Sequence, residues 1–300
     1  MNTPLTSDEV LDIIKNHYNL GDIDYCMFLR RGFNDSYVLE VGREKYVFRV
    51  YSKDKYYIES EDDFRFELSL IKHLHENDVP VAAAIPTAKG ELLGAEQTKN
   101  GQQVFALFQY AEGFPISGDS VTEAQSFRMG VALANLHLKS NSFESQYTRY
   151  KLDLKYLVEE PLRLISEGED CAEPHELIKR GQYVLGKLQP IESYINRLKS
   201  IGTDGDKFGI IHADMHLGNI HFRGEELTIF DFDHCAYGWR AYDLAISNGL
   251  PKAQKASMIE GYESRRPLSK EERDSLQDLG HLRSLWDIGD MLATQNLREE

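Results

Sequence analysis

The sequence predicts an α+β chain of two lobes: a small antiparallel sheet with one main helix, followed by a larger, mostly helical part. Three observations predict it. Apolar runs of strand character cluster between residues 28 and 110, whereas beyond residue 113 the apolar spacing is helical. One strand-turn-strand signature, Ile220 to Phe222 and Leu227 to Phe230 around Arg223-Gly224-Glu225-Glu226, interrupts the helical part. The length of 300 residues exceeds one average domain, so two fused lobes are expected, divided into 1–112 and 113–300.

In chain order, Ser7 to Tyr18 opens on a capping-type serine and carries Val10, Leu11, Ile14 and Tyr18 at helical spacing. Phe28 to Val41 and Lys45 to Tyr51 read as strands with turns at Gly32 and Gly42. Asp62 to His75 is the main helix of the first lobe, with Phe64, Leu68, Ile71 and Leu74 as its apolar stripe, and Val79-Pro80-Val81 ends it. Glu91 to Leu93 and Val104 to Tyr110 read as two more strands, and Ala111-Glu112-Gly113 breaks the pattern. Thr122 to His137 is helical, and His137 is assigned a packing role. Residues 140–205 carry Tyr147, Tyr150, Tyr156, Tyr183 and Tyr194 on expected helices, with turns near Gly168 and Pro174. Glu271 to Arg298 forms a last helix with Leu282, Leu285, Trp286 and Ile288 as core.

Composition narrows the class of function. A chain 41% hydrophobic and 28% charged is that of a soluble globular protein. No run approaches eighteen apolar residues, and Met1 to Val10 lacks the basic and apolar regions of a leader, so a cytoplasmic protein is expected. Cys26, Cys171 and Cys235 have no metal-ligand spacing and fit a reducing compartment. The net charge of −15 argues against nucleic acid as partner and favours cationic ones. Because acid is spread over both lobes, solubility is its expected role. Oligomeric state is not legible.

The chemistry concentrates at the hairpin. If Phe222 pairs with Leu227, then Ile220 faces Ile229, and Asn219 comes beside Asp231. Two oxygen ligands then converge, which suits Mg²⁺, a hard cation that takes few protein carboxylates and completes its shell with phosphate and water. Asp214, five residues before Asn219, stands where a catalytic base would face the metal-bound group. The spacing His212-x-Asp214-x-x-x-x-Asn219, with Asp231 after the next strand, matches the catalytic loop and metal-binding Asp of protein kinases. A lone His-x-Asp is usually a surface loop. Four such residues at this spacing around a hairpin are not.

The wording His212-Ala-Asp-Met-His-Leu-Gly-Asn-Ile220, then Phe230-Asp-Phe-Asp233 and Tyr242-Asp-Leu-Ala245, resembles the aminoglycoside phosphotransferase and choline kinase-like family. The resemblance implies a protein kinase-like fold and ATP-dependent transfer, with GTP left open, to the hydroxyl of an amino-alcohol, amino-sugar, homoserine-like or antibiotic acceptor. It implies that Gly32, Asn34 and Ser36 belong to a phosphate-covering loop, although that loop has one glycine where several are usual. Arg49 occupies the third-strand lysine position, where a fixed bidentate charge serves phosphate oxygens, and Glu67 is its partner. Gln109 and Tyr110 lie in the hinge that would meet adenine, His212 braces the loop, Asp233 helps hold a second metal, and Asp243 anchors the catalytic loop backbone. The 140–205 segment helps build the acceptor pocket, Tyr237, Trp239 and Arg240 edge it, and Asp287 and Asp290 are ammonium ligands for an amine-bearing acceptor.

Two alternatives share some of these motifs. A stress-response type protein Ser/Thr kinase needs a long activation segment, but only twelve positions separate Asp231 from Asp243. A nucleotide-binding pseudokinase scaffold would not need the intact Asp214, Asn219 and Asp231.

Overall fold

A computed structural model describes residues 3–169, 176–203 and 205–299. The chain begins with α1 (Ser7–His17), whose Thr6 and Glu9 form a reciprocal capping box. Strands β1 (Tyr25–Arg31), β2 (Asp35–Val41) and β3 (Glu44–Tyr51) form an antiparallel meander, and α2 (Glu61–Glu76) follows, capped by Ser60 and Asp63. The sheet is completed by β4 (Ala84–Ile85), β5 (Gly94–Thr98) and β6 (Gly101–Gln109), in the order β1-β2-β3-β6-β4 with β5 paired to β6.

Side chains alternate across a strand, and this period sorts the two faces of the sheet. Tyr37, Leu39, Phe48, Val50, Phe105 and Leu107 meet Val10, Ile13 and Ile14 of α1. Tyr51, Val104, Ala106 and Phe108 join Phe64, Leu68 and Ile71 of α2. Arg49, one position from Phe48 and Val50, therefore falls on the α2 side. Glu67 lies within the same helix, fully buried.

The second part comprises α3 (Glu123–Lys139), β7 (Lys151–Leu152), α4 (Glu160–Glu169), α5 (Glu176–Lys187), α6 (Ile191–Ile201) and β8 (Phe208–Ile211). Then come β9 (Ile220–Arg223), β10 (Glu226–Ile229), β11 (Ala236–Trp239), α7 (Arg240–Leu244), α8 (Lys252–Glu263) and α9 (Lys270–Glu299). Strand β11 lies between β7 and β8, and β9 with β10 forms the hairpin in the expected register, Phe222 opposite Leu227 and Ile220 opposite Ile229. The antiparallel sheet and helical remainder agree with the expected α+β kinase-like architecture. Leu282, Leu285, Trp286 and Ile288 are core, as expected. Among the described residues no helix is long and apolar enough to cross a membrane.

The hairpin is gripped on both edges by the first part of the chain. Ile229 N–H donates to Pro80 O (2.8 Å) and Ala82 N–H to Ile229 O (3.0 Å), while Phe114 and Phe222 exchange backbone bonds of 3.1 and 2.9 Å. Gly113 permits the second grip. Its φ is +96°, and a Cβ there would lie 2.1 Å from Phe222 O, so only glycine fits.

Some expectations fail locally. Glu91 to Leu93 precede the strand rather than form it, because the tight turn at Lys99-Asn100 pairs the polar Gly94–Thr98 with β6. Turn chemistry outweighs hydrophobicity there. Tyr147 and Tyr150 lie in irregular chain, where Tyr150 packs on Tyr57 and Tyr156, and Gly168 sits inside α4. Pro174 and Cys171 lie outside the described residues.

Candidate active site

The catalytic-loop segment between β8 and β9 is anchored from below by Asp243. Its carboxylate accepts from His212 N–H (2.7 Å) and Ala213 N–H (2.8 Å), and it is completely buried. Burial raises its pKa, but bonding from His137 and the two His charges outweigh this and hold it below the usual range. His137 Nε2 lies 3.1 Å from Asp243, and its Nδ1 lies 2.7 Å from Tyr262 Oη. His137 thus does more than fill space: it orients the anchor. Asp243 is not a helix cap, since it sits inside α7 and spends its oxygens on the loop.

His212 is buried, with Nε2 3.0 Å from Phe230 O. It joins the loop to the end of β10, so it positions Asp214 and does not face the reacting group. Asp214 itself is a quarter exposed, and its Oδ1 accepts from Arg283 Nη2 (2.8 Å) while Oδ2 accepts from Asn219 Nδ2 (3.0 Å). Burial would raise its pKa, but His216, His234 and Arg283 draw it well below the usual range. Asp214 is therefore ionised throughout the neutral range.

Asp231 ends β10 in the left-handed region (φ +68°). This backbone turns the chain out of the strand and leaves the carboxylate in the cleft. Its Oδ1 accepts from Arg49 Nη2 (2.8 Å) and its Oδ2 from Arg30 Nη2 (2.9 Å). Arg49 Nη1 also donates to Glu67 Oε1 (3.1 Å), the pair expected from sequence. Burial pushes the Glu67 carboxyl up to about 7 against the pull of Arg49. Asn219 spends its amide nitrogen on Asp214 O and Oδ2, so its amide oxygen is the atom available to a cation. Hard oxygen donors from Asn219 and Asp231 at one point fit Mg²⁺.

Asp233 departs from the metal role expected of it. Both its oxygens accept from Lys55 Nζ (2.7 and 3.0 Å), one also from Tyr57 Oη (3.0 Å), and all three groups are buried. Unlike Asp231, one of whose partners is the exposed Arg30, Asp233 has only buried partners, so a cation there would have to displace a buried ammonium. Asn34 is likewise committed: its Oδ1 accepts from Lys55 Nζ (2.9 Å) and Ser52 N–H (3.1 Å), bracing the loop after β1 instead of reaching phosphate.

Two cavities meet at this point. One of about 360 Å³ lies against the hinge, lined by Val47, Ile71, Phe108, Tyr110, Phe114 and Phe230 among others. The other, about 1200 Å³, holds Asp214, Trp286, Asp287 and Asp290. Arg30, Ser36, Arg49 and Asp231 line both. Gly32 and Asn34 line the larger cavity only, with no share in the hinge-side one. In the hinge, Gln109 N–H donates to Ala83 O (2.8 Å) and Tyr110 N–H to Lys45 O (3.1 Å), so both residues line the smaller cavity without a free amide. His221 Nδ1 meets Ala111 O at 2.6 Å, fixing the strap beside the cavity.

Tyr237, Trp239 and Arg240 stand away from the larger cavity. Trp239 Nε1 donates to Gly202 O (2.9 Å), Arg240 pairs with Asp206, and Tyr237 packs on Phe66. Sequence reasoning missed Lys55, Arg30 and Arg283. Nothing in their local wording distinguishes them from surface cations, since their partners lie 178, 201 and 69 positions away.

The fold and the site define a kinase-type phosphotransferase acting on a small molecule. The phosphotransferase enzyme family model, APH, matches residues 28–278, and the chain belongs to that family. It is 30% identical over 289 residues to an uncharacterized protein of Synechocystis sp., covering 94% of this chain and 77% of that one. It is 25% identical to the homoserine kinase of Agrobacterium fabrum, covering 91% and 81%. Among solved structures, a microcompartment-associated aminopropanol kinase superposes with a TM-score of 0.73 at 22% identity, covering 96% of this chain and 93% of that one. The amicoumacin kinase hAmiN, in complex with AMP-PNP, Ca²⁺ and Ami, gives a TM-score of 0.71 at 18% identity, covering 98% and 94%.

Proposed function

We propose that this protein transfers the γ-phosphoryl group of ATP to the hydroxyl of a small, ammonium-bearing acceptor, using Mg²⁺. Residues 1–112 form the nucleotide lobe in this reading and 113–300 the acceptor lobe. The observation that carries it is the meeting, at Arg49 and Asp231 and beside Asp214, of an apolar hinge-side cavity with a larger one whose lining mixes carboxylates and guanidiniums and includes the buried Asp287 and Asp290. Adenine occupies the first, with the Ala111 amide as the hinge donor, and Arg49 contacts phosphate oxygens. Asn219 and Asp231 hold the metal, which supplies charge neutralisation at the phosphates. Asp214 orients the acceptor hydroxyl for in-line attack. The oxygen–phosphorus bond forms as the bond to ADP breaks, and the hydroxyl proton passes to the Asp214 carboxylate and then to solvent. So acidic a carboxylate is a weak base, which makes positioning its main contribution.

Asp290 supports the ammonium. It is 3% exposed, its Oδ1 has no partner, and burial with the nearby Asp233, Asp287 and Asp214 raises its pKa well above the usual range. Burial likewise raises Asp287 against the pull of Arg283. A cation is the ligand that would relieve both. At about 1200 Å³ the cavity admits amino sugars and antibiotic-sized acceptors as well as short amino alcohols. A protein acceptor is disfavoured because the chain after Asp231 turns directly into β11 and α7, which are buried in the core.

The test is ADP release measured across amino alcohols, hydroxy amino acids, amino sugars and their uncharged analogues. Turnover with an amine-bearing alcohol and none with its uncharged analogue is expected. Preference for uncharged alcohols would overturn the acceptor class. Failure to bind Mg·ATP by calorimetry would overturn the reaction.

A further inference from the structure

Arg30 lines both cavities and pairs with Asp231, yet the reaction outlined above gives it no role. It lies near the end of β1, just after a register shift in the β1–β2 ladder between Phe28 and Arg30. A bulge re-aims the side chains that follow it. Here Arg30 reaches across to the far side of the cleft and donates to Asp231 Oδ2. The two guanidiniums on Asp231 differ in kind. Arg49 is buried at 9% side-chain exposure and tied also to Glu67, whereas Arg30 is 57% exposed, and Asp231 is its one carboxylate partner among the described residues. Arg49 is fixed. Arg30 is free to leave at little cost, because an exposed ion pair is weak and its long side chain has many rotamers.

We propose that Arg30 is an exchange residue: it caps Asp231, the carboxylate read above as a metal ligand, and moves to the terminal phosphates when metal and nucleotide bind together. The inference rests on the reading of Asp231 as a metal ligand given above. Charge makes the exchange directional. Arg30 and Arg49 balance Asp231 and Glu67, so a bare dication would arrive beside two guanidiniums and compete with Arg30 for Oδ2. The metal–nucleotide complex brings its own anionic oxygens, to which a planar guanidinium bonds bidentately. Arg30 also lines both cavities, so it borders the point where the γ-phosphoryl group would cross from one to the other. The consequence is coupling: free metal is excluded and the complex is favoured by the same side chain.

The test measures two affinities in the full-length protein and in Arg30→Gln, with Arg30→Lys as the conservative variant. Free Mn²⁺ is titrated alone by electron paramagnetic resonance, and Mn²⁺ with AMP-PNP by calorimetry. In Arg30→Gln, free Mn²⁺ should bind about three- to tenfold tighter and the Mn·AMP-PNP complex about three- to tenfold weaker, the size of a charge-assisted contact discounted for exposure. Arg30→Lys should fall between the two. A residue that merely closes the cleft would shift both affinities the same way or neither, and either result overturns the proposal while leaving nucleotide binding intact. If the wild-type protein binds no Mn·AMP-PNP, this inference and the reaction both fail.

Discussion

Replacing Lys55 by Met should destabilise the protein by about 3–5 kcal/mol, the cost of leaving one member of a buried ion pair without its partner. The structure places Lys55 at the upper end of that range. Its side chain is 0% exposed and that of Asp233 4%, and the ammonium makes bonds of 2.7 and 3.0 Å to Asp233 and 2.9 Å to Asn34. Burial draws the Lys55 pKa down. Asp233 is held below its ordinary range despite burial, chiefly by Lys55 with help from His234 and Arg49. Lys55→Met would leave that carboxylate with Tyr57 as its remaining short contact, and would leave Asn34 Oδ1 with Ser52 N–H alone. Urea unfolding followed by circular dichroism reads the loss directly, and a fall in Tm of roughly 6–20 °C should accompany it. The double variant Lys55→Met with Asp233→Leu should recover most of the loss, since a buried pair replaced by apolar groups of similar volume is often neutral. A single variant within 1 kcal/mol of wild type, or a double variant less stable than the single, would refute the reasoning. The sign with pH follows from Asp233. Its depressed pKa contributes stability that is present above the unfolded value near 3.8 and lost as pH falls through the lower folded value.

Three further outcomes are expected. Asp214→Asn should lower phosphate transfer about 10²- to 10⁴-fold while leaving Mg·ATP affinity nearly unchanged, and full transfer in that variant would remove Asp214 from the chemistry. Binding of an ammonium acceptor should release a proton, because Asp290 has a raised pKa when empty and must ionise beside the cation; affinity should then rise with pH. Calorimetry in buffers of different ionisation enthalpy checks this, and a binding enthalpy independent of buffer would contradict it. Gly113→Ala should weaken the hinge contact and lower ATP affinity, since its Cβ would meet Phe222 O; wild-type stability and affinity would show that the bridge between Phe114 and Phe222 is dispensable.

What was legible in the sequence was what depends on short separations. Asp214, Asn219 and Asp231 lie within eighteen positions and one hairpin, and counting residues from the turn was enough to bring the last two together. Arg49 and Glu67, eighteen positions apart, were legible through the resemblance, which puts a cation on the third strand and its acidic partner on the helix that follows; the structure pairs them at 3.1 Å. Asp233 was misread for a related reason. A carboxylate two positions past a proposed metal ligand reads as a second one until its partner is known, and Lys55 lies 178 positions earlier in a loop with no period to read. Gln109 and Tyr110 line the hinge-side cavity, but that Ala83 and Lys45 take their amides could not be read in advance, because backbone donors carry no sequence signature.

The same division explains why the reaction is easier to read than the acceptor. The loop bearing Asp214 is held by Asp243, His137 and His212, all buried, so its geometry is set by core packing and survives change elsewhere. The acceptor cavity is built differently. Beside the segment 245–250, part of its wall comes from α5 and α9, through Arg180, His281, Arg283 and Met291 as well as Asp287 and Asp290, and Arg283 donates to Asp214 Oδ1 (2.8 Å) and to Met215 O (2.6 Å). Arg283 is therefore the joint between the loop that carries Asp214 and the α9 wall of the larger cavity. A substitution on α9 away from that joint should change which alcohol is phosphorylated without changing how, whereas one at Arg283 should alter transfer to every acceptor, because it moves the carboxylate that orients them all.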